Sequence, residues 1–338
     1  MIKSTNQKTR KLKGRNYYED EVEVFDLQRM MEGFLLEQNC RGNSKATVKY
    51  YEGNILRFIS YLEEQKVDTD TSSITKEQIQ KYIVYLKNTK KWVKTENIKS
   101  NEQIASKSIQ TYIRAMKVWI TWMEEEGYLA RNVSAEIKLP KATKKVLEIL
   151  SEEEISEIFR CLESKNKNCF RDLLIIMVLF ECGLRLEEAT TLKLQNINIK
   201  QNTMKVLGKG NKERVVSYGV NVQKMLFKYI NQERSEPANK KIDSLFLKND
   251  GYPITQSTIK QLFRRLKGKL KMEKLHPHLL RHTYCTMYLA NGGDIFSLKQ
   301  STGHESFEIL NNYVHLAGAI VNIKNKSLSL IDGMKLKI

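Results

Sequence analysis

His276-Pro277-His278-Leu279-Leu280-Arg281-His282, followed by Gly303-His304 and then Tyr313, is the stretch on which the reading of this chain turns. All five histidines of the 338 residues fall between 276 and 315. Pro277 suits the first position of a helix, which puts His278 in the first turn, where free N–H groups and the helix dipole favour an anion. Arg281 comes three residues later on the same face, so the two side chains can converge on one phosphate. Leu279 and Leu280 anchor that helix in a core. Asp294 caps the next helix, Gly303 ends it, and His304 is left at a turn. Tyr313 stands nine residues further on, in or just after another short helix. Imidazoles, a guanidinium and a phenol in this order are groups for handling a phosphate.

The segment upstream is basic. Over 256–272 a helix has Ile259, Leu262, Phe263, Leu266 and Leu270 on one face and Lys260, Arg264, Lys267 and Lys271 on another. From 255 to 282 there are eight Lys or Arg and one acid, Glu273. A rigid helix with one basic stripe suits a DNA groove or backbone; a solvated lysine face is the plain alternative. Before it, Thr203–Leu207 and Arg214–Tyr218 read as strands of a hairpin around Gly208-Lys209-Gly210-Asn211-Lys212. Earlier still, Arg171 to Cys182 is apolar nearly all round and reads as the central buried helix, stopped by Gly183. Arg185 and Glu188 follow at the edge of that core, where a charge must be paired or face a cleft. Ser151 with Glu154 forms a capping box that opens this second domain, which takes in residues 151–318.

Residues 24–130 carry a helical pattern throughout: 25–38, 44–65 with Ser44 as cap, a third helix opened by Thr75 with Gln78, and a fourth capped by Ser106 and ended by Gly127. Between the two domains, 131–150 reads as an exposed basic linker, with Pro140 among Lys138, Lys141, Lys144 and Lys145. These lysines are candidate phosphate contacts. Residues 1–23 read as a basic tail. The last twenty, 319–338, are apolar enough (Ile320, Val321, Ile323, Leu328, Leu330, Ile331) to need a surface to bury against.

The formal net charge of +18, from 57 Lys and Arg against 39 Asp and Glu, points to a polyanionic partner. The five cysteines are odd in number and form no Cys-x-x-Cys pair, which argues against a disulfide framework or a zinc site and for a reducing cytoplasm. The longest apolar run, Leu173–Phe180, is far short of a membrane span, and the N-terminus has no apolar signal region.

In these ordered motifs the sequence resembles the tyrosine recombinase family of the lambda-integrase type, with a two-domain, Xer-like plan. The resemblance covers about residues 24–318. It rests on Gly183-Leu184-Arg185 with Glu188, a lysine in a hairpin turn, His278-x-x-Arg281, Gly303-His304 and Tyr313. Ser301-Thr302 departs slightly from the family, which more often has a leucine before Gly-His. The resemblance implies a mainly α fold: an all-α four-helix core-binding domain, then an α+β catalytic domain with a small antiparallel sheet. It implies that Tyr313 attacks a DNA phosphodiester to give a 3′-phosphotyrosyl link and a free 5′-hydroxyl. Arg185 and Arg281 would hold the non-bridging oxygens and Lys209 would protonate the leaving oxygen, with Lys212 competing for that role. His278 would assist proton transfer or hold the phosphate, and His304 would hydrogen-bond it. Glu188 would support the architecture.

The covalent link keeps the phosphodiester energy, so no ATP is expected, and the two arginines supply the positive charge, so no metal or other cofactor is expected. His276, His282 and His315 are expected to be bystanders. The expected assembly is a homotetramer on double-stranded DNA with inverted-repeat sites, joined through the C-terminal tail, with an accessory DNA-bending or directionality protein left open. Exchange would pass through a Holliday junction, in the integrase or transposase of a mobile element or in a Xer-type resolvase. Two other functions fit the sequence less well: a type IB topoisomerase, which cuts and reseals one strand, and a non-catalytic DNA-binding regulator.

Overall fold

The computed structural model describes residues 23–91, 102–141, 147–163 and 167–324, with the backbone alone at 167, 209 and 322–324. Residues 1–22, Lys144, Lys145, the Lys209 side chain and residues 325–338 lie outside what is described. The chain divides into two compact units, 1–145 and 146–338.

The first unit is helical. Helices α1 (Leu27–Cys40), α2 (Lys45–Glu64), α3 (Lys76–Asn88) and α4 (Ser106–Glu125) follow the sequence expectations closely. Ser44 and Thr75 cap α2 and α3, each accepting from the backbone N–H three residues on. Ser106 does not cap α4: Ala105 holds that position without a side-chain bond, and Ser106 is the first helical residue. α2 packs against α1 and α4, around fully buried Phe34, Phe58, Tyr82 and Trp119. The expected linker also changes character. Val133, which opens a 3-10 turn at Val133–Glu136, and Ile137 just after it are buried in this core, and the Gln110 amide donates to the Pro140 carbonyl at 2.6 Å. Its first part is thus packed into the first unit, because two apolar residues soon after the Gly127 turn reach the same core as α4. Lys138 and Lys141 remain exposed there.

The second unit opens with α5 (Glu152–Leu162), capped by the reciprocal Ser151 and Glu154 bonds. α6 (Lys167–Glu181) is its central helix, with Leu174, Ile175, Ile176, Val178 and Leu179 all buried. Gly183 has φ +57°, and a Cβ there would fall 2.3 Å from the Tyr284 ring, so both the turn and the close approach require glycine. The short α7 (Leu186–Thr190) follows at once. The hairpin is present, with a short third strand that the sequence pattern was too brief to reveal. The antiparallel order is β1 (Ile197–Asn198), β2 (Thr203–Leu207), β3 (Glu213–Ser217), with Leu207 opposite Glu213 across the turn. Met204, Val206 and Val216 alternate inward. α8 (Val220–Lys228) runs on into a single π turn at Tyr229–Glu233. α9 (Gln256–Leu270) buries Ile259, Leu262, Phe263 and Leu266 of the expected apolar face, with Leu270 partly buried.

α10 (Pro277–Ala290) has Pro277 at its first turn, and the His276 imidazole Nδ1 accepts from Leu279 N at 2.9 Å. His276 is therefore the helix cap. α11 (Ile295–Thr302) is capped by Asp294 and ended by Gly303 at φ +65°. α12 (Phe307–Lys324) packs on α10 and carries Tyr313 inside it, so the helix runs through part of the expected tail. No helix among the described residues is long and apolar enough to cross a membrane.

Candidate active site

The site forms where the C-terminal end of α6, the start of α7, α10 and the turn after α11 meet. Arg185 is the first residue past the buried Leu184 and the N-cap of α7. Glu188 accepts from the Arg185 backbone N–H at 2.7 Å and from its Nη1 at 3.0 Å. The same Nη1 also donates to the carbonyl of Thr302 (3.2 Å), and Nη2 to that of Gly303 (2.8 Å). A Cβ at Gly303 would sit 3.5 Å from Arg185 Nη1, in ordinary contact, so its left-handed backbone is what selects glycine here.

Arg281 enters from the opposite side and is only 3% exposed. It donates to Gly183 O at 2.6 Å and Thr302 O at 2.7 Å, and its Nη2 lies 3.2 Å from His304 Nε2. The two arginines, 96 residues apart in the chain (281 − 185), thus share one carbonyl, Thr302 O. Burial and then the Arg185 charge push the Arg281 pKa down to about 10, still cationic at neutral pH. The Nε groups of both forks make no hydrogen bond among the described residues.

His304 has a defined tautomer. The Thr302 hydroxyl donates its proton to Leu298 O at 2.5 Å, so His304 Nδ1, 2.7 Å away, must be the donor to that hydroxyl. Nε2 then carries the lone pair facing Arg281. Burial, followed by the Arg281 and Arg185 charges, pushes this imidazole down to about 3, so it is neutral. His278 is exposed on the first turn of α10, and partial desolvation, then the Arg281 charge, lowers its pKa.

Tyr313 is 3% exposed. Its ring lies against those of His282 and His304, with centroids 5.7 and 5.9 Å away. Its hydroxyl is 2.8 Å from His282 Nδ1. Burial, then the neighbouring Cys285, pushes its pKa up to about 12, against the smaller opposing pull of Arg281 and Arg185. Five pH units below that value, only about one molecule in 10⁵ would be ionised.

Two residues were not found from the sequence. His282, expected to be a bystander, is the hydrogen-bond partner of the tyrosine. The sequence did carry a signal, its spacing of four from His278, which puts both on one helix face. The other is Arg214 on β3, whose fork grips Glu188 at 2.7 and 2.8 Å while Nε donates to Ser301 O at 2.7 Å. Burial alone would raise the Glu188 carboxyl; the bonds from Arg214 and Arg185 overcome this and hold its pKa below the usual range.

An open cleft of about 770 Å³ runs beside the arginines, lined by Arg185, Gly303, His304, Gly208, Lys212 and Lys299 among others. The hairpin turn therefore borders the site, and Lys212 faces the cleft. Lys209 begins that turn, and its side chain is outside what is described. On α9, Lys260, Arg264 and Lys271 are exposed, but Lys267 pairs with Glu273 at 2.8 Å, which takes one charge out of the expected stripe. His315 is exposed on α12. No three His, Cys, Asp or Glu side chains among the described residues converge as a metal cluster.

Two guanidiniums, a neutral imidazole and a buried phenol thus gather around the Thr302–Gly303 turn. Residues 148–319, half of the chain, match the Phage integrase family. The chain is 28% identical over 279 residues to tyrosine recombinase XerD of Staphylococcus haemolyticus, covering 82% of this chain and 90% of that one. It is 26% identical over 301 residues to tyrosine recombinase XerC of Oceanobacillus iheyensis, covering 88% and 93%. In fold it resembles XerH site-specific recombinase bound to a palindromic difH substrate, with TM-score 0.66, 19% identity, and 87% and 83% coverage. It also resembles the Tn1549 transposon integrase in complex with transposon right end DNA, with TM-score 0.66, 17% identity, and 90% and 100% coverage. The chain belongs to the phage integrase family and is a tyrosine-type site-specific recombinase, an enzyme that breaks and rejoins DNA.

Proposed function

We propose that Tyr313 is the nucleophile of this recombinase and Arg185 and Arg281 its phosphate clamp. The convergence of both arginines on the Thr302–Gly303 turn, beside the Tyr313 ring, is the observation that carries this reading. A scissile phosphate would take up the free N–H groups of the two forks, which are planar and always charged. They would stabilise the extra negative charge of the pentavalent transition state. The Tyr313 oxygen forms the bond to phosphorus as the bond to the 5′-oxygen breaks, leaving a 3′-phosphotyrosyl link and a 5′-hydroxyl. A hairpin lysine, Lys209 or the cleft-lining Lys212, protonates the leaving oxygen. His278 stands next to the clamp on the first turn of α10. His304, now an acceptor at Nε2, would hydrogen-bond a phosphate oxygen after taking a proton, which the arriving anion favours.

The rejoining step is the same chemistry in reverse, with a 5′-hydroxyl from a second duplex. Two duplexes cut at paired sites require four copies of the chain, a Holliday junction, and inverted-repeat DNA. We assign phosphate contacts outside the site to Lys138, Lys141, Lys144 and Lys145 and to Lys260, Arg264 and Lys271, and protomer docking to residues 319–338. Such a reaction belongs in the cytoplasm, on double-stranded DNA. The XerH and Tn1549 proteins, described as bound to DNA sites, support that substrate class.

The test selects the DNA site and traps the enzyme on it in one step. Nicked duplexes of random sequence are incubated with the full chain and denatured, and DNA attached to protein is recovered and sequenced. The native protein should yield a covalent adduct and one enriched sequence, and Tyr313→Phe should yield none. An adduct of undiminished yield with Tyr313→Phe, or no adduct with the native protein, overturns the reading.

A further inference from the structure

Tyr313 has a proton that must go somewhere. With its pKa pushed up to about 12, the phenol is a poor nucleophile unless a base receives that proton as the oxygen attacks. Four imidazoles surround this region, and the structure separates them by what each ring nitrogen already does. His276 Nδ1 is committed to the N–H of Leu279 as the helix cap. His304 uses Nδ1 as a donor to Thr302, and its Nε2 faces Arg281. His278 makes no described hydrogen bond to Tyr313, and its nearest aromatic partner is the His282 ring, 6.4 Å away between centroids. His282 Nδ1 alone of these lies at hydrogen-bond distance from the phenol oxygen, at 2.8 Å.

We propose that His282, the residue after the phosphate-clamp arginine, receives the Tyr313 proton during strand cleavage and returns it during rejoining. The inference rests on the reading of Tyr313 as nucleophile. In cleavage, the Oη–phosphorus bond forms, the bond from phosphorus to the 5′-oxygen breaks, and the phenol proton passes to His282 Nδ1. The leaving oxygen takes its own proton from a hairpin lysine. For Nδ1 to accept, the ring proton of neutral His282 must sit on Nε2. In rejoining, the imidazolium gives the proton back to the departing Tyr313 oxygen.

The surroundings suit a base that works only on a loaded site. Burial is the main force holding the His282 pKa down, to about 4, followed by the charges of His278, His276 and Arg281 on the same helix. From α12 it meets the phenol of Tyr313, and across the pocket His304, whose own titration senses His282. Arg185 adds a cationic field on His278 and His304 from the start of α7. Together these keep Nδ1 unprotonated, so that it can accept from the Tyr313 hydroxyl. A DNA phosphate between Arg185 and Arg281 supplies the opposing negative charge, and it raises the basicity of His282 when the proton must move.

The experiment measures single-turnover adduct formation by the full chain on the nicked duplex recovered above, between pH 6 and 9. It compares His282→Asn and His282→Ala with the native protein. Each is also run on the same duplex with sulfur in place of the bridging 5′-oxygen, a leaving group that needs no acid. Asparagine can accept the Tyr313 hydrogen bond but cannot take the proton. Both variants should bind DNA and unfold like the native protein, yet cleave about 10²-fold more slowly at pH 7. The sulfur substrate should not restore them. Their rates should climb with pH as the phenol ionises unaided, narrowing the gap, while the native rate levels off.

Native-like cleavage by His282→Asn would overturn the proposal and leave His282 a positioning residue. Full restoration by sulfur would overturn it by moving the role to the leaving group. A defect of equal size at every pH would overturn it as well. If Tyr313→Phe still forms adduct, the nucleophile itself is misassigned, which is a separate failure.

Discussion

The two units bury different things. Among described residues, the polar groups buried in the helical unit are neutral: Gln38, Asn54, Thr71, Ser73 and Ser134. The catalytic unit buries Arg171, Asp172, Glu188 and Arg281, with Thr283, Thr286 and Thr302 beside them. Taking a charge out of water is unfavourable unless partners replace the solvent, so a protein that buries several has a use for their fixed positions. In the first unit, packing of Trp119, Phe58 and Phe34 makes a rigid helical body. In the second, part of the folding free energy goes into holding guanidiniums on carbonyl oxygens before any substrate arrives. The lesson is one of preorganisation: the arginine forks are aimed by backbone atoms at 183, 302 and 303, whose positions rest on two left-handed glycines.

That contrast can be broken by substitution. The largest effect after loss of the nucleophile should come from Arg281→Ala. It removes one arm of the proposed clamp and leaves Gly183 O without its Arg281 donor, while Thr302 O keeps the one from Arg185; adduct formation should fall by about 10³-fold in single-turnover assays. A fall below tenfold would mean that the fork serves packing alone. Trp119→Ala should do the reverse. It opens a cavity in the helical core and should lower stability by about 3–5 kcal/mol in urea unfolding. Chemistry on DNA that remains bound should be little changed.

A smaller effect sharpens the comparison through pH. All five histidines are in the catalytic unit and none is in the helical one. His282 and His304 have folded pKa values of about 4 and 3, below the value for an exposed imidazole. Between the ordinary value and these, the unfolded chain binds more protons than the folded one, so stability is present near pH 7 and is lost as pH falls. Hydrogen exchange at pH 7 and pH 5 should show α10 and α12 losing protection while α2 and α4 hold theirs. Equal losses in both units would refute a histidine origin.

Most of the helix framework was legible because its signals are local. Ser44, Thr75, Ser151 and Asp294 bond to N–H groups three residues away, and the apolar faces repeat with the helical period. Ser106 misled because serine serves as well inside the first turn as before it. The β1 strand is two residues long and has no period to read. The stretch at 131–141 looked exposed because of its lysines and its proline, yet Val133 and Ile137 sufficed to dock it.

The site divides in the same way. The sequence by itself determined that a histidine and an arginine share the first turns of one helix, that glycines stop two helices, and that a tyrosine follows nine residues after Gly303-His304. Those relations lie within a few turns of chain, where backbone geometry fixes what side chains can meet. Only the tertiary structure decided which groups pair. Arg185 meets Gly303 across 118 residues, Arg214 meets Glu188 across 26, and Tyr313 meets His282 across 31. Such contacts depend on how α10 packs between α6 and α12. Helix periodicity gives the direction of a face but not the neighbour it will face, so His282 could be read as a bystander until α12 laid Tyr313 against it.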